Sequence, residues 1–239
     1  MNILMKDKII YLGGISYQII NLTEPLRQEV EVYPGDPKPV KKVFSKQEDS
    51  GFNHNIWSLG EHNFHPHGDA PLHYQPNQTN QSNSNKSFDK FGIDYFFNSA
   101  LIIDLSEKGE IREGIKYLAK IKREDLEPFK EKLSKKTAII IRTGYDRWLE
   151  ANKKHTKTPE LTKEAAEYLA QFSNLRVIGT DSLTIGNLLA HLHLSKMLIV
   201  ESLVNLYSIP VKEFDLQTFP IAVEGSTGGP IAAMAFVRK

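Results

Sequence analysis

A mixed α/β domain of many short strands and three or four helices is the fold class the sequence predicts. Three observations point there. Apolar runs such as residues 137–143 (TAIIIRT) are of the kind buried on both faces of a sheet. Helical patterns alternate with such runs in the second half of the chain. The 239 residues are 40% hydrophobic and 25% charged, which suits a buried core and argues against disorder. No repeat of 20 to 50 residues appears, so residues 1–239 are read as a single domain.

The elements follow in order. Residues 18–22 and 30–33 read as strands, the second alternating apolar and polar side chains. Tyr33-Pro34-Gly35-Asp36-Pro37 is a turn, since Pro fixes φ and Gly tolerates φ > 0. A further strand starts near Ile56-Trp57-Ser58-Leu59. Residues 77–87 (NQTNQSNSNKS) are polar and are expected to form a mobile loop, the best place for a lid. Residues 100–105 resume a buried strand. Residues 123–133 form an amphipathic helix, expected to start near Glu127 because Pro128 suits a first turn. Residues 162–172 form a helix capped by Thr162. A strand at 175–181, a helix at 186–196 and a strand at 197–201 come next. Residues 219–223 and 232–237 supply the final strands.

Charge excludes some functions. Thirty Lys+Arg against 29 Asp+Glu leave a formal net charge of +1, too little to attract nucleic acid or an anionic membrane. With no cysteine, disulfides, thiolate nucleophiles and sulfur-ligated metals are all removed. The N-terminal MNILMKDKIIYLGG lacks a secretory pattern, and no run reaches the ~20 apolar residues of a membrane span. A cytoplasmic protein is expected. The Gly225–Gly229 stretch lacks the Gly-Lys-Ser/Thr ending of a phosphate loop, and no Gly-x-Ser-x-Gly elbow occurs.

Histidines carry the chemistry. Five of the eight lie between His54 and His73, four of them in His62-Asn-Phe-His65-Pro-His67-Gly-Asp69-Ala-Pro-Leu-His73. In an extended run, side chains two apart share a face, so Asn63, His65, His67 and Asp69 would point one way. Imidazoles and a carboxylate on one face are what Zn²⁺ or Mn²⁺ needs in a thiol-free chain. Pro71 bends the chain, and His73 can fold back toward the metal. The remaining ligands are sought at His191 and Glu201. A carboxylate after the apolar run Met197–Val200 is costly to bury unless paired or metal-bound, although an edge-strand Glu could face water instead. His193 sits about 200° around a helix from His191, so at most one of the two can be a ligand. His54 and His155 are read as structural or solvated. Trp57, Phe64 and Tyr74 are candidates for an aromatic wall, Trp57 being better suited to the core.

The segment His67-Gly-Asp69-Ala-Pro-Leu-His73-Tyr74 resembles the signature of the cyclase family, His-x-Gly-Thr-His-x-Asp-x-Pro-x-His. That family includes bacterial kynurenine formamidase and isatin hydrolase, metal-dependent enzymes that open amide bonds. Further stretches agree in order: Asn21-Leu22-Thr23, Tyr33–Pro37, Ile141–Tyr145, Ile178–Ser182, Ile199–Leu203 and the Gly-rich Glu224–Pro230. The resemblance implies a swivelling β/β/α fold with a mixed sheet and short helices, one or two Zn²⁺ or Mn²⁺ ions, and a homodimer. It makes His67, Asp69, His191 and Glu201 metal ligands and His73 the catalytic base.

Three departures from the pattern stand out. The family's first His falls on Asn63 and its Gly on His65. Either His65 takes over that ligand role, which needs no change of register and is favoured, or His62 reaches in through a bulge, or a ligand is lost. The connection from His191 to Glu201 is shorter than the family's, which leaves His191 and His193 as alternatives. Ala232-Ala233 stands where the family carries an Arg, a residue suited to forked bonds with carboxylates.

The expected function is metal-assisted hydrolysis of a small amide, formamide or cyclic amide or lactone. The metal activates a water and polarises the carbonyl, while His73 exchanges protons with water and leaving group. A metal- or small-molecule-binding protein without turnover, and a cyclase or dehydratase on the same site, are the alternatives.

Overall fold

A strand whose side chains are all apolar needs cover on both faces. The computed structural model, which describes residues 8–74, 86–112, 115–152 and 158–239, shows how this chain provides it. Nine strands share one sheet: β1 (Lys8–Leu12), β2 (Ile15–Asn21), β3 (His67–Asp69), β4 (Phe97–Asp104), β5 (Ala138–Arg142), β6 (Val177–Thr180), β7 (Leu198–Glu201), β8 (Glu213–Pro220) and β9 (Gly228–Arg238). Their order is β1-β2-β9-β8-β4-β5-β6-β7-β3. Because β3 also pairs with β9, seven of them close into a barrel. Strands β4 to β7 run parallel, and the other pairings are antiparallel.

Alternation along the parallel strands sorts their side chains into two cores. Ala100, Ile102, Ala138, Ile140, Leu198 and Val200 pack with Leu216 and Ala233 on one face. Leu101, Ile103, Ile139, Ile141, Ile178 and Ile199 face the other way, toward Ala165, Leu169, Ala190 and Leu194 of the covering helices. Those helices are α2 (Lys163–Leu169) and α3 (Leu188–Leu194), preceded by α1 (Tyr145–Asn152). Thr162 caps α2 by accepting from the Ala165 N–H, as its sequence position predicts. Asn187 caps α3, accepting from the N–H groups of Leu189 and Ala190.

Two of the family-like stretches meet at a structural joint. The buried Asp181 carboxylate accepts from the N–H groups of Thr143 (2.9 Å), Gly144 (2.8 Å) and Tyr145 (3.0 Å) and from the Thr143 hydroxyl (2.8 Å). It thereby holds the entry to α1, where Gly144 adopts φ 87°.

Some expectations need correction. Residues 30–33 form no strand, because the prolines at 34, 37 and 39 remove donors beside them and no neighbouring strand pairs with them. The helix expected near Glu127 starts at Arg123, where the Lys122 N–H donates to Asp125. Pro128 sits in a 3₁₀ turn, Glu127–Phe129, that leads into Lys130–Leu133. The last strand pair begins earlier than expected, at Glu213, and residues 221–223 fall beyond its first member. An exposed hairpin, Val40–Ser45 with His54–Ser58, extends the strand expected near Ile56. Of the expected polar loop, residues 77–85 lie outside the described residues, as does His155.

Replacing Asp181 by Ala strands three buried N–H groups, so Asp181→Ala should lower unfolding free energy by about 3 kcal/mol or more. Urea denaturation followed by circular dichroism measures this.

Candidate metal centre

Register places the charged groups together. On β3, His67 lies opposite Glu201 and Asp69 opposite Ile199 of β7, so His67, Asp69 and Glu201 share the helix-covered face. Helix α3 crosses that face and presents His191. All four side chains are buried.

The His67 Nε2 lies 3.1 Å from Glu201 Oε2 and 3.9 Å from Asp69 Oδ1. The His191 Nε2 lies 3.2 Å from Glu201 Oε1 and 3.7 Å from Asp69 Oδ2. On the far side of each ring, Nδ1 faces a main-chain carbonyl at 3.0 Å, Phe64 for His67 and Asn187 for His191. An Nδ1–H donating to a carbonyl leaves Nε2 as the free lone pair of a neutral ring. Two such lone pairs aimed at carboxylate oxygens repel unless a cation, proton or metal, lies between them. The donor set of imidazole nitrogen and carboxylate oxygen suits a divalent ion of the Zn²⁺ or Mn²⁺ type. In the metal-free protein protons fill that role. Burial disfavours charge on His67, but Glu201, helped by Asp69, raises its pKa to about 9. Burial opposes charge on His191 as well, and Glu201 likewise raises its pKa. Glu201 is buried, yet its two imidazole partners hold it well below the usual carboxylate range.

Two overlapping triads could each hold an ion: His62, His67 and Asp69, and Asp69, His191 and Glu201. The extended-run argument holds from His67 to Asp69 only, since the chain turns through residues 61–66 before β3 begins. That turning brings His62 to Asp69 (Nδ1–Oδ1 2.8 Å) and directs His65 to Glu24 (3.7 Å). Asn63 is buried and donates to the Pro37 carbonyl. His193 points to Glu167 at 3.4 Å, away from the cluster. A Cβ at Gly228 would collide with the His62 ring, so the Gly-rich start of β9 leaves room for that ring.

Beside the cluster, the His73 ring stacks on His62 at 4.0 Å. Burial lowers the His73 pKa, with Asp69 opposing, which favours the neutral ring. Tyr74 packs its ring on His191 at 4.2 Å and donates its hydroxyl to Asp69 at 3.3 Å. Burial first, and then Asp69 and Glu201, raise the Tyr74 pKa and keep it a neutral donor. Trp57 belongs neither to the cavity wall nor to the core. It lies half-buried on the exposed hairpin with the Lys41 ammonium over its ring. Phe64 is buried and contributes its carbonyl.

The histidine and carboxylate cluster, His73 and Tyr74 line a cavity of ≈ 290 Å³ whose wall also includes Val32, Tyr33, Asp36, Leu183 and Leu188. A larger, more open hollow of ≈ 380 Å³ near Tyr17, Phe97 and Phe236 contains none of the candidate ligand groups. Glu24, Asp36 and the Asn187 carbonyl were not recognised in the sequence as site-shaping groups. Asn187 carried a signal as a capping residue before a helix, and Asp36 as a member of the family-like Tyr33–Pro37 turn.

Comparison with known proteins gives a consistent result. The family described as Putative cyclase matches residues 20–187. Kynurenine formamidase of Bacillus thuringiensis (strain Al Hakam) is 26% identical over 223 residues, covering 90% of this chain and 95% of that protein. The Bacillus mycoides (strain KBAB4) kynurenine formamidase is also 26% identical, over 225 residues, covering 91% and 96%. Among solved structures, isatin hydrolase A from Labrenzia aggregata superposes with a TM-score of 0.76 at 19% identity, covering 93% and 94% of the two chains. A predicted metal-dependent hydrolase from Bacillus stearothermophilus gives 0.68 at 17% identity, covering 92% and 98%.

Proposed function

The chain belongs to the cyclase family, and from that premise we propose that it is a metal-dependent hydrolase of a small amide, formamide or cyclic amide. The observation that carries this reading is the pair of imidazole Nε2 atoms aimed at one buried carboxylate, with each Nδ1 tied to a carbonyl. Asp69, His67, His191 and Glu201 would hold a divalent ion, Zn²⁺ or Mn²⁺, and His62 joins them through Asp69. Such an ion supplies Lewis acidity to a carbonyl and lowers the pKa of water toward ~7.

The remaining steps belong to side chains. His73, neutral and stacked beside the cluster, takes a proton from the attacking water and returns it to the leaving nitrogen. Tyr74 orients the Asp69 carboxylate and covers His191. Val32, Leu183 and Leu188 exclude water around the scissile bond. His65, directed at Glu24, shapes the wall and is not assigned to the ion. The kynurenine formamidase relatives support formamides as the first substrates to try. No helix among the described residues is long and apolar enough to cross a membrane. We place the protein in the cytoplasm and as a homodimer, the exposed Val40, Phe44, Phe52 and Ile56 of the hairpin region offering apolar surface for a second copy.

Zinc- or manganese-loaded protein should hydrolyse formanilide-type amides. His73→Ala should lower kcat by about 10²- to 10⁴-fold while metal content, read by atomic emission, is kept. Metal retained without hydrolysis of any amide would make the protein a binder instead.

Metal uptake must displace the proton that His67 carries below about pH 9. Apparent metal affinity should therefore rise with pH, by roughly tenfold per unit for one displaced proton, and level off above the His67 pKa. Calorimetric titration in buffers of different ionisation enthalpy counts the protons released.

A further inference from the structure

One carboxylate in the cavity is unused by the proposed hydrolysis. Asp36 ends the turn that begins at Tyr33, its N–H donating to the Tyr33 carbonyl at 3.0 Å. Its side chain is half-buried in the cavity wall. Among the described residues, no hydrogen bond or ion pair engages that carboxylate. The other two acids of the wall, Asp69 and Glu201, are both committed to imidazoles.

Outside the histidine cluster, cations are missing from the same wall. No Lys or Arg lines the cavity among the described residues. Arg27, on the neighbouring segment, is tied to Glu24 at 2.5 Å. Residues 75–85, which follow Tyr74 of the wall, contain no charged side chain in the sequence. A carboxylate entering here loses hydration, finds no forked partner and meets the Asp36 charge. An ammonium finds in Asp36 a counter-charge that nothing else occupies.

We propose, resting on the amide-hydrolase reading above, that Asp36 is a specificity-determining residue that turns away carboxylate-bearing ligands and favours those carrying an amine. The selected class is a small amide with a compact apolar body and a neutral or cationic substituent. Repulsion between unit charges about 5 Å apart, even in bulk water, corresponds to roughly fourfold in affinity and grows as water is excluded.

The test uses ligands that share one metal-seeking head. Benzohydroxamic acid, its 4-aminomethyl derivative and its 4-carboxy derivative are titrated calorimetrically into the zinc-loaded full chain. The expected order is aminomethyl tightest and carboxy weakest, with about fivefold or more between those two. In Asp36→Asn the spread should collapse, and in Asp36→Lys the order should reverse, with circular dichroism confirming folded protein in each. An order in which the carboxy ligand binds tightest, or a spread unchanged in both variants, overturns the proposal. The expected order without hydrolysis of any amide would leave the selectivity standing and remove the hydrolase reading. Hydrolysis of amides without charge discrimination would do the reverse. If none of the three binds, the cavity is not a ligand site and both fall.

Discussion

Glu201 is a carboxylate at the end of an apolar strand, 3% exposed, with β3 beside it and α3 above it. An isolated charge in such a place costs several kcal/mol after relaxation, so it persists only with partners. The structure brings three to it: His67 from the adjacent strand, His191 from the covering helix and the Ile185 N–H. β3 closes the barrel by pairing with both β7 and β9, and that closure sets His67 opposite Glu201. The α3 cap at Asn187 sets His191, because the same residue whose side chain starts the helix offers its carbonyl to the ring. Fold closure and ligand placement are thus one constraint.

The arrangement has the features of a site built for a cation. Imidazoles fixed at Nδ1 cannot rotate to relieve the contact between Nε2 and carboxylate. The carboxylates raise the His67 and His191 pKa values and the imidazoles lower that of Glu201, so protons satisfy the cluster in the metal-free protein. A divalent ion would replace those protons with a charge matched by two carboxylates. On the proposed reading, the neutral His73, the phenol of Tyr74 and an apolar wall would provide proton exchange, orientation and exclusion of water around this centre. The structural resemblance to isatin hydrolase concerns the fold, and the chemical reading rests on these side chains.

Much of this was legible in the residues. The apolar runs at 137–143 and 197–201 marked central strands, and Thr162 marked a helix start, because period and capping are local properties. His67 and Asp69 were placed on one face because two-residue alternation works inside a strand, and Glu201 stood out as a carboxylate ending an apolar run. The alternation failed one step earlier. Residues 61–66 turn, so His65, favoured by register, goes to Glu24 while His62 reaches Asp69. The choice of His191 over His193 could not be made from spacing, since either could face inward until α3 is packed against α2. Barrel closure through β3 is a non-local pairing of three residues with two distant strands, and no local pattern announces it. Asp36 was read as part of a turn, correctly, but what its side chain faces depends on that packing.

The central claim is that His67, Asp69, His191 and Glu201 surround a divalent ion. Anomalous diffraction from crystals grown with zinc, recorded on both sides of the absorption edge, measures it most directly. The account predicts a peak within bonding distance of Nε2 of His67 or His191 and of an Asp69 or Glu201 carboxylate oxygen. An empty cluster, with His67 still in direct contact with Glu201 under saturating zinc, would contradict it.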